Sequence, residues 1–175
     1  MKLVAIALTL ATLVGDPGVT MKGPPKNPAI DMPEFLRISA EAAKHRETRR
    51  LSEEDFIHMS QERGVIVLDA RSKAKFDLMH IKGAINLSFP DIDVASLKKT
   101  LPDKNARILI YCNNNFVNSL VAFPAKAASA SLNISTYISL YTYGYRNVYE
   151  LGPLLDAKTT KLELVSTDKI VAELK

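Results

Sequence analysis

Cys112 is the only cysteine in a chain of 175 residues. A lone thiol forms no intramolecular disulfide and no cysteine-based metal site. Its available chemistry is nucleophilic, and the thiolate is the reacting form. Cys112 closes the run Arg107-Ile108-Leu109-Ile110-Tyr111 and is followed by Asn113, Asn114 and Asn115. Asparagines tolerate unusual backbone angles and favour tight loops. Such a loop can aim successive backbone N–H groups at one centre, and a nest of that kind stabilises an anion and lowers the pKa of a thiol placed in it. The competing reading is a buried, inert cysteine in a core strand. His45, His58 and His80 are far apart and lack ligand spacing, so the sequence implies no metal and no cofactor. Only His80 lies near the elements around the thiol.

The composition bounds what that thiol could act on. Lys and Arg number 23 against 19 Asp and Glu, a net charge of +4. This suits a small anionic substrate, but the charge is too weak and too dispersed for nucleic acid. No basic run is longer than Arg49-Arg50, and no aromatic platform lies beside it. Hydrophobic residues make up 47%, enough for an ordinary globular core.

Met1-Lys2 precedes a 13-residue apolar run, residues 3–15. One positive residue before a short apolar run is the pattern of a secretory signal peptide. The run is shorter than the roughly 20 residues of a membrane-spanning helix. No clean small-x-small cleavage site follows, so residues 1–20 are read as a signal peptide or an uncleaved anchor, and any membrane tether runs through this segment alone. The expected location is the periplasm or another exported compartment. Exported proteins usually pair their cysteines, so a single unpaired one there points to use.

The elements that must position Cys112 can be read along the chain. Residues 21–49 form a Pro-rich linker followed by a polar, helix-prone stretch over 34–50. The domain is expected over 50–160, with a C-terminal tail over 161–175. Ser52 with Glu53, Glu54 and Asp55 signals a helix start, and Gly64 its end. Residues 65–70 and 107–112 are apolar runs without alternation, the mark of strands buried on both faces. Further strands are expected over 84–88 and 147–151, and helices over 72–79, 91–99 and 135–143, the last closed by Gly144. Alternating strands and helices imply an α/β fold, a small, mostly parallel five-stranded sheet flanked by helices. Ligands of such sheets bind outside the carboxyl ends of the strands, where Cys112 sits.

The segment from Val65 to Phe89 carries Asp69 and Arg71, Phe76, then His80-Ile81-x-Gly83-Ala84-Ile85-Asn86. It resembles the first half of a rhodanese-like (sulfurtransferase) domain. The strand ending in Cys112 is similar to the one that delivers that family's persulfide-forming cysteine, and residues 144–151 to its closing segment. The resemblance spans about residues 50–155. It implies that Cys112 takes the outer sulfur of a thiosulfate-type donor as a persulfide and passes it to a thiophilic acceptor. Residues Asn113, Asn114, Asn115, Phe116 and Val117 would then surround the substrate, with Asp69, Arg71 and His80 in support. Asp69 and Arg71 either brace the site or form a plain structural salt bridge. The partners implied are a small sulfur-containing anion and a thiol acceptor. The alternative is a rhodanese-like binding or thiol-redox module without sulfur transfer.

Two departures from the family pattern stand out. The loop after Cys112 usually carries a glycine and an arginine within six residues, and residues 113–118 contain neither. A bidentate anion clamp is thus missing, and Phe116 and Val117 make the surroundings more apolar. Lys75 or Lys126 could supply the absent charge; the plainer reading makes both solvated surface lysines. The chain is also longer here than the family's compact form, and the extra residues, about 117–133, are expected as an added helix broken at Pro124.

Overall fold

The structure, a computed structural model, describes residues 27–167, so the expected signal or anchor at residues 1–20 lies outside the described residues. The chain divides at Asp31. Before it, Asn27 makes a turn by accepting the Ala29 N–H on Oδ1 at 3.0 Å and the Ile30 N–H on its carbonyl at 3.1 Å.

From Met32 onward the order is α1 (Met32–Arg46), β1 (Arg50–Leu51), α2 (Glu53–Ser60), β2 (Ile66–Asp69), α3 (Lys73–Leu78), β3 (His80–Ile81), β4 (Ile85–Asn86), α4 (Val94–Thr100), β5 (Ile108–Tyr111), β6 (Phe116–Val117), α5 (Leu132–Thr142), β7 (Val148–Leu151), β8 (Leu155–Asp156) and β9 (Leu164–Val165). Five strands form one sheet in the order β1-β7-β5-β2-β4, and every pairing in it is parallel. The α/β reading of the sequence holds. Strand β5, which delivers Cys112, is the central strand.

Local chemistry sets the boundaries. Ser52 Oγ accepts the Asp55 N–H at 3.1 Å, and the three acids that follow favour the positive end of α2. Asp93 and Ser96 cap α4 reciprocally. Gly64 and Gly144 adopt φ of +82° and +92°, where a Cβ is unfavourable, and so end their helices. Helix α5 starts at Leu132, three residues before the expected Ser135.

Alternation along the buried strands sorts the core into two layers. Ile108 and Ile110 of β5 and Val148 of β7 pack with Ala42 of α1, Leu97 of α4 and Leu140 of α5. Leu109 and Tyr111 pack with Phe56 of α2, Phe116 and Phe123 on the other face. The two-residue period of a strand therefore points Cys112, two beyond Ile110, toward the face of α1 and α5.

The added segment is not the helix expected over 117–133. Strand β6 pairs in parallel with β8, Asn118 turns the chain with a φ of 62°, and residues 118–127 run without regular structure to a single 3₁₀ turn at Ala128–Ala130. Tertiary contacts override helix propensity here. Phe116, Ala122 and Phe123 are buried, and burial of those three side chains holds the segment on the sheet. Residues 162–167 also pack on the domain: Leu162 is buried and β9 pairs antiparallel with β3.

Candidate functional site

Cys112 caps a 3₁₀ turn formed by Asn113–Asn115. Its Sγ accepts the Asn114 N–H at 3.4 Å and lies 3.4 Å from Ser131 Oγ, the residue that opens α5. Its N–H donates to Asn115 Oδ1 at 2.9 Å. Asn115 is held in turn: its Nδ2 donates to the carbonyls of Leu151 at 2.8 Å and Pro153 at 3.2 Å, and Oδ1 also accepts from Asn133 Nδ2 at 3.0 Å. The asparagines thus do by side chain what a glycine-rich loop does by backbone. They fix a tight turn at the end of β5.

The loop is a partial nest. The Asn114 amide faces the sulfur, but the Asn115 N–H goes to the Cys112 carbonyl at 3.2 Å and the Phe116 N–H to the Asn113 carbonyl. Each of these 3₁₀ bonds withdraws an amide from the sulfur. The thiol itself is buried.

The remaining sequence candidates separate. Phe116 is a core residue, 4.5 Å from the Phe123 ring centroid and edge-on to Tyr111. Val117 continues into β6. His80 is buried on β3, stacked 3.7 Å from Phe76, with Nδ1 donating to the Phe76 carbonyl at 2.8 Å. Its ring is committed to packing.

Asp69 and Arg71 form a closed, buried cluster. The Arg71 guanidinium donates to Asp69 Oδ2 at 2.6 Å, to the Met79 carbonyl at 2.6 Å and to the Ala122 carbonyl at 2.8 Å. It lies 4.1 Å from the Phe123 ring centroid. Tyr111 O–H donates to Asp69 Oδ2 at 2.6 Å and accepts the Ile81 N–H at 3.0 Å. Burial, followed by the Asp69 charge, pushes the Tyr111 phenol up, so it stays a donor. This cluster ties β2, β5, β3 and the added segment together, one residue before Cys112. Removing one member of a buried pair strands the other charge, so Arg71→Ala should lose roughly 3–5 kcal/mol of stability. Urea unfolding measures it. Asp69→Asn/Arg71→Met should lose less than Arg71→Ala alone, and a larger loss would show that the stranded charge is not the cause.

Two hollows flank the loop. One, of about 310 Å³, is lined by Asn113, Lys75 and Lys126 with Pro124 and Leu132. Lys75 and Lys126 both line this hollow, with Lys75 Nζ donating to the Val121 carbonyl at 2.7 Å and Lys126 exposed, as the plainer reading has it. The other, of about 220 Å³, is lined by Asn114 and Ser131, the residues that contact Sγ, together with Arg46, Arg50, Asn133 and Glu150. The buried sulfur therefore lies behind Asn114 and Ser131 of the second hollow, on the side that strand alternation gives it.

A rhodanese-like domain model matches residues 52–151, more than half of the chain. The chain belongs to the rhodanese-like domain family. Among solved structures, it is similar to BH2092 protein from Bacillus halodurans, at 19% identity and a TM-score of 0.51, covering 80% of this chain and 93% of that one. It is also similar to a thiosulfate sulfurtransferase from Pseudomonas aeruginosa, at 17% identity and a TM-score of 0.50, covering 77% of this chain and 24% of that one. Likeness at this identity shows the fold. A search of curated proteins gives no match.

Within this rhodanese-like chain, the two guanidiniums that line the hollow with Asn114 and Ser131 come from outside the matched span. Arg46 ends α1 and Arg50 begins β1. Sequence reading met Arg49-Arg50 only as a basic run; the signal it lacked was the register that sets Arg50 against Glu150 and Glu150 against Ile110. Glu150 is 1% exposed, with Oε1 lying 2.7 Å from Arg46 Nη2 and 3.3 Å from Arg50 Nε. Burial pushes its carboxyl up, and the two guanidiniums oppose that without cancelling it. A raised folded pKa means that Glu150's contribution to stability is full below the unfolded value of 4.5 and is lost as pH rises through the higher folded value. Glu150→Gln should therefore gain stability relative to the parent as pH increases across that window, read by urea unfolding at a series of pH values. The opposite slopes of Asp77 and Asp93, whose carboxyls are held down by hydrogen bonds, cancel in the difference. A difference independent of pH would contradict the burial.

Proposed function

We propose that the chain is a sulfurtransferase that carries sulfur as a persulfide on Cys112. The observation that carries this is the placement of Sγ at the carboxyl end of the central parallel strand, in contact with the Asn114 N–H and Ser131 Oγ, two residues that line a hollow bearing two arginines. The Cys112 thiolate attacks the outer sulfur of a thiosulfate-type anion. A new S–S bond forms to Sγ, the bond to the sulfonate sulfur breaks, and sulfite leaves with the electron pair. Arg46 and Arg50 attract the dianion and offset the charge on the departing group, the part that a loop arginine plays by the family pattern. An acceptor thiolate then attacks the outer sulfur and Cys112 leaves as the thiolate. No oxidant or cofactor enters. Side-chain rotation at Ser131, which is partly exposed, opens the path to the buried sulfur.

The apolar run at residues 3–15 and the unpaired thiol support an exported location. Cell fractionation that finds the chain in the cytosol would count against it.

One observation favours a second reading. The thiol is buried and the Asn115 and Phe116 amides face carbonyls, which suits a rhodanese-like module that binds without transferring sulfur. A single experiment separates the two. Incubation with thiosulfate should add the mass of one sulfur atom, about 32 Da, removable by a thiol reductant and absent in Cys112→Ser. A Cys112 that is open to alkylation yet gains no mass would establish the binding module instead.

A further inference from the structure

The hollow lined by Asn114 and Ser131, the two contacts of the sulfur, holds more polar machinery than an inorganic sulfur anion needs. Glu150 Oε2 accepts no hydrogen bond, and neither does Asn133 Oδ1, although both residues are more than nine-tenths buried. Arg46 Nε likewise has no partner. Buried polar atoms are nearly always paired, so unmatched ones at one hollow call for an explanation. These groups are graded by depth: the Glu150 side chain is 1% exposed, that of Arg46 30% and that of Arg50 54%. Acceptors therefore stand inside and cationic donors at the rim. Two guanidiniums against one carboxylate leave a surplus positive charge at the mouth.

We propose that this hollow is the acceptor subsite, and that it takes a small thiol carrying both an ammonium and a carboxylate group, a thiol amino acid such as cysteine. This rests on the sulfur-transfer reading. The ammonium, with three N–H donors, meets Glu150 Oε2 and Asn133 Oδ1, both of which lack a donor. The carboxylate meets Arg50 and Arg46 at the rim, in the fork geometry that guanidinium provides. The thiol is then left on the Ser131 side, beside Cys112. In the transfer the acceptor enters as a thiolate, its proton having passed to solvent. It bonds to the outer sulfur, the Cys112 S–S bond breaks, and Cys112 keeps the electron pair. A volume of about 220 Å³ suits a small thiol. The residues that read the carboxylate, Arg46 and Arg50, lie outside the family-matched span, so this selectivity belongs to the chain and not to the shared fold.

The alternative is that Arg46, Arg50 and Glu150 only clamp α1 and β1 to the sheet. Calorimetric titration with S-methyl-L-cysteine, which cannot accept sulfur, tests this on the full chain. Binding at one site is expected in the parent and in Cys112→Ser. Arg50→Ala, at a half-exposed position, should weaken it at least tenfold while leaving the thermal midpoint nearly unchanged. In the persulfidated protein, cysteine should discharge the sulfur at least tenfold more efficiently than cysteamine, which lacks the carboxylate, or 3-mercaptopropionate, which lacks the ammonium. Absence of heat in a folded parent overturns the proposal, as does equal discharge by all three thiols. Persulfide formation without S-methylcysteine binding overturns the acceptor assignment alone. Binding without any thiosulfate-derived mass overturns sulfur transfer and leaves an amino-acid site.

Discussion

A guanidinium taken out of water must find carboxylate and carbonyl partners, or the fold that buries it will not form. Arg71 is in that position, 2% exposed, and it recruits four parts of the chain: Asp69 at the end of β2, Met79 before β3, Ala122 in the added segment and the rings of Phe123 and Tyr111. The geometry around Cys112 follows from this constraint. Tyr111 is held by Asp69 on one face of the sheet, so the next residue points to the other. Ala122 and Phe123 of the added segment are drawn down onto the Arg71 face, while its end at Ser131 and Asn133 returns to the turn that holds the sulfur.

The carboxyl edge of the sheet thus carries two buried charged sets, one on each face: the Asp69–Arg71 pair and Glu150 with its arginines. The Asp69–Arg71 pair is closed: carboxylate, guanidinium and phenol are all matched. The Glu150 set is open, with its arginines toward solvent and its inner acceptors unmatched. A closed set is suited to holding backbone in place, an open one to meeting a ligand. That contrast, more than the presence of charge, separates the structural pair from the candidate binding surface.

The asparagine turn changes the expected chemistry in a specific way. Side-chain amides of Asn115 and Asn133 build the turn from within, and the backbone closes into a 3₁₀ geometry that leaves one amide on the sulfur. Such a turn is stiffer and less electropositive than an open nest. Compensating charge must then come from elsewhere, and the guanidiniums of the hollow beside the turn stand on α1 and β1.

The sequence by itself determined what depends on neighbours along the chain. The apolar runs before Asp69 and Cys112, the Ser52 cap, the glycines at 64 and 144 and the ordered motif from Asp69 to Asn86 made the parallel sheet and the position of the thiol readable, because caps, breakers and strand burial are local. Asn113, Asn114 and Asn115 were legible as a tight turn, but the direction of its amides was not. The added segment misled, since helix propensity there loses to the burial of Phe116, Ala122 and Phe123. Only the tertiary structure decided that Arg71 is a packing hub, that His80 serves Phe76, and that Arg46 and Arg50 meet Glu150 beside the sulfur. Glu150 and Arg46 are about a hundred positions apart, and their meeting depends on strand register and on how α1 lies against β7. Those are products of whole-chain packing, and no local pattern carries them.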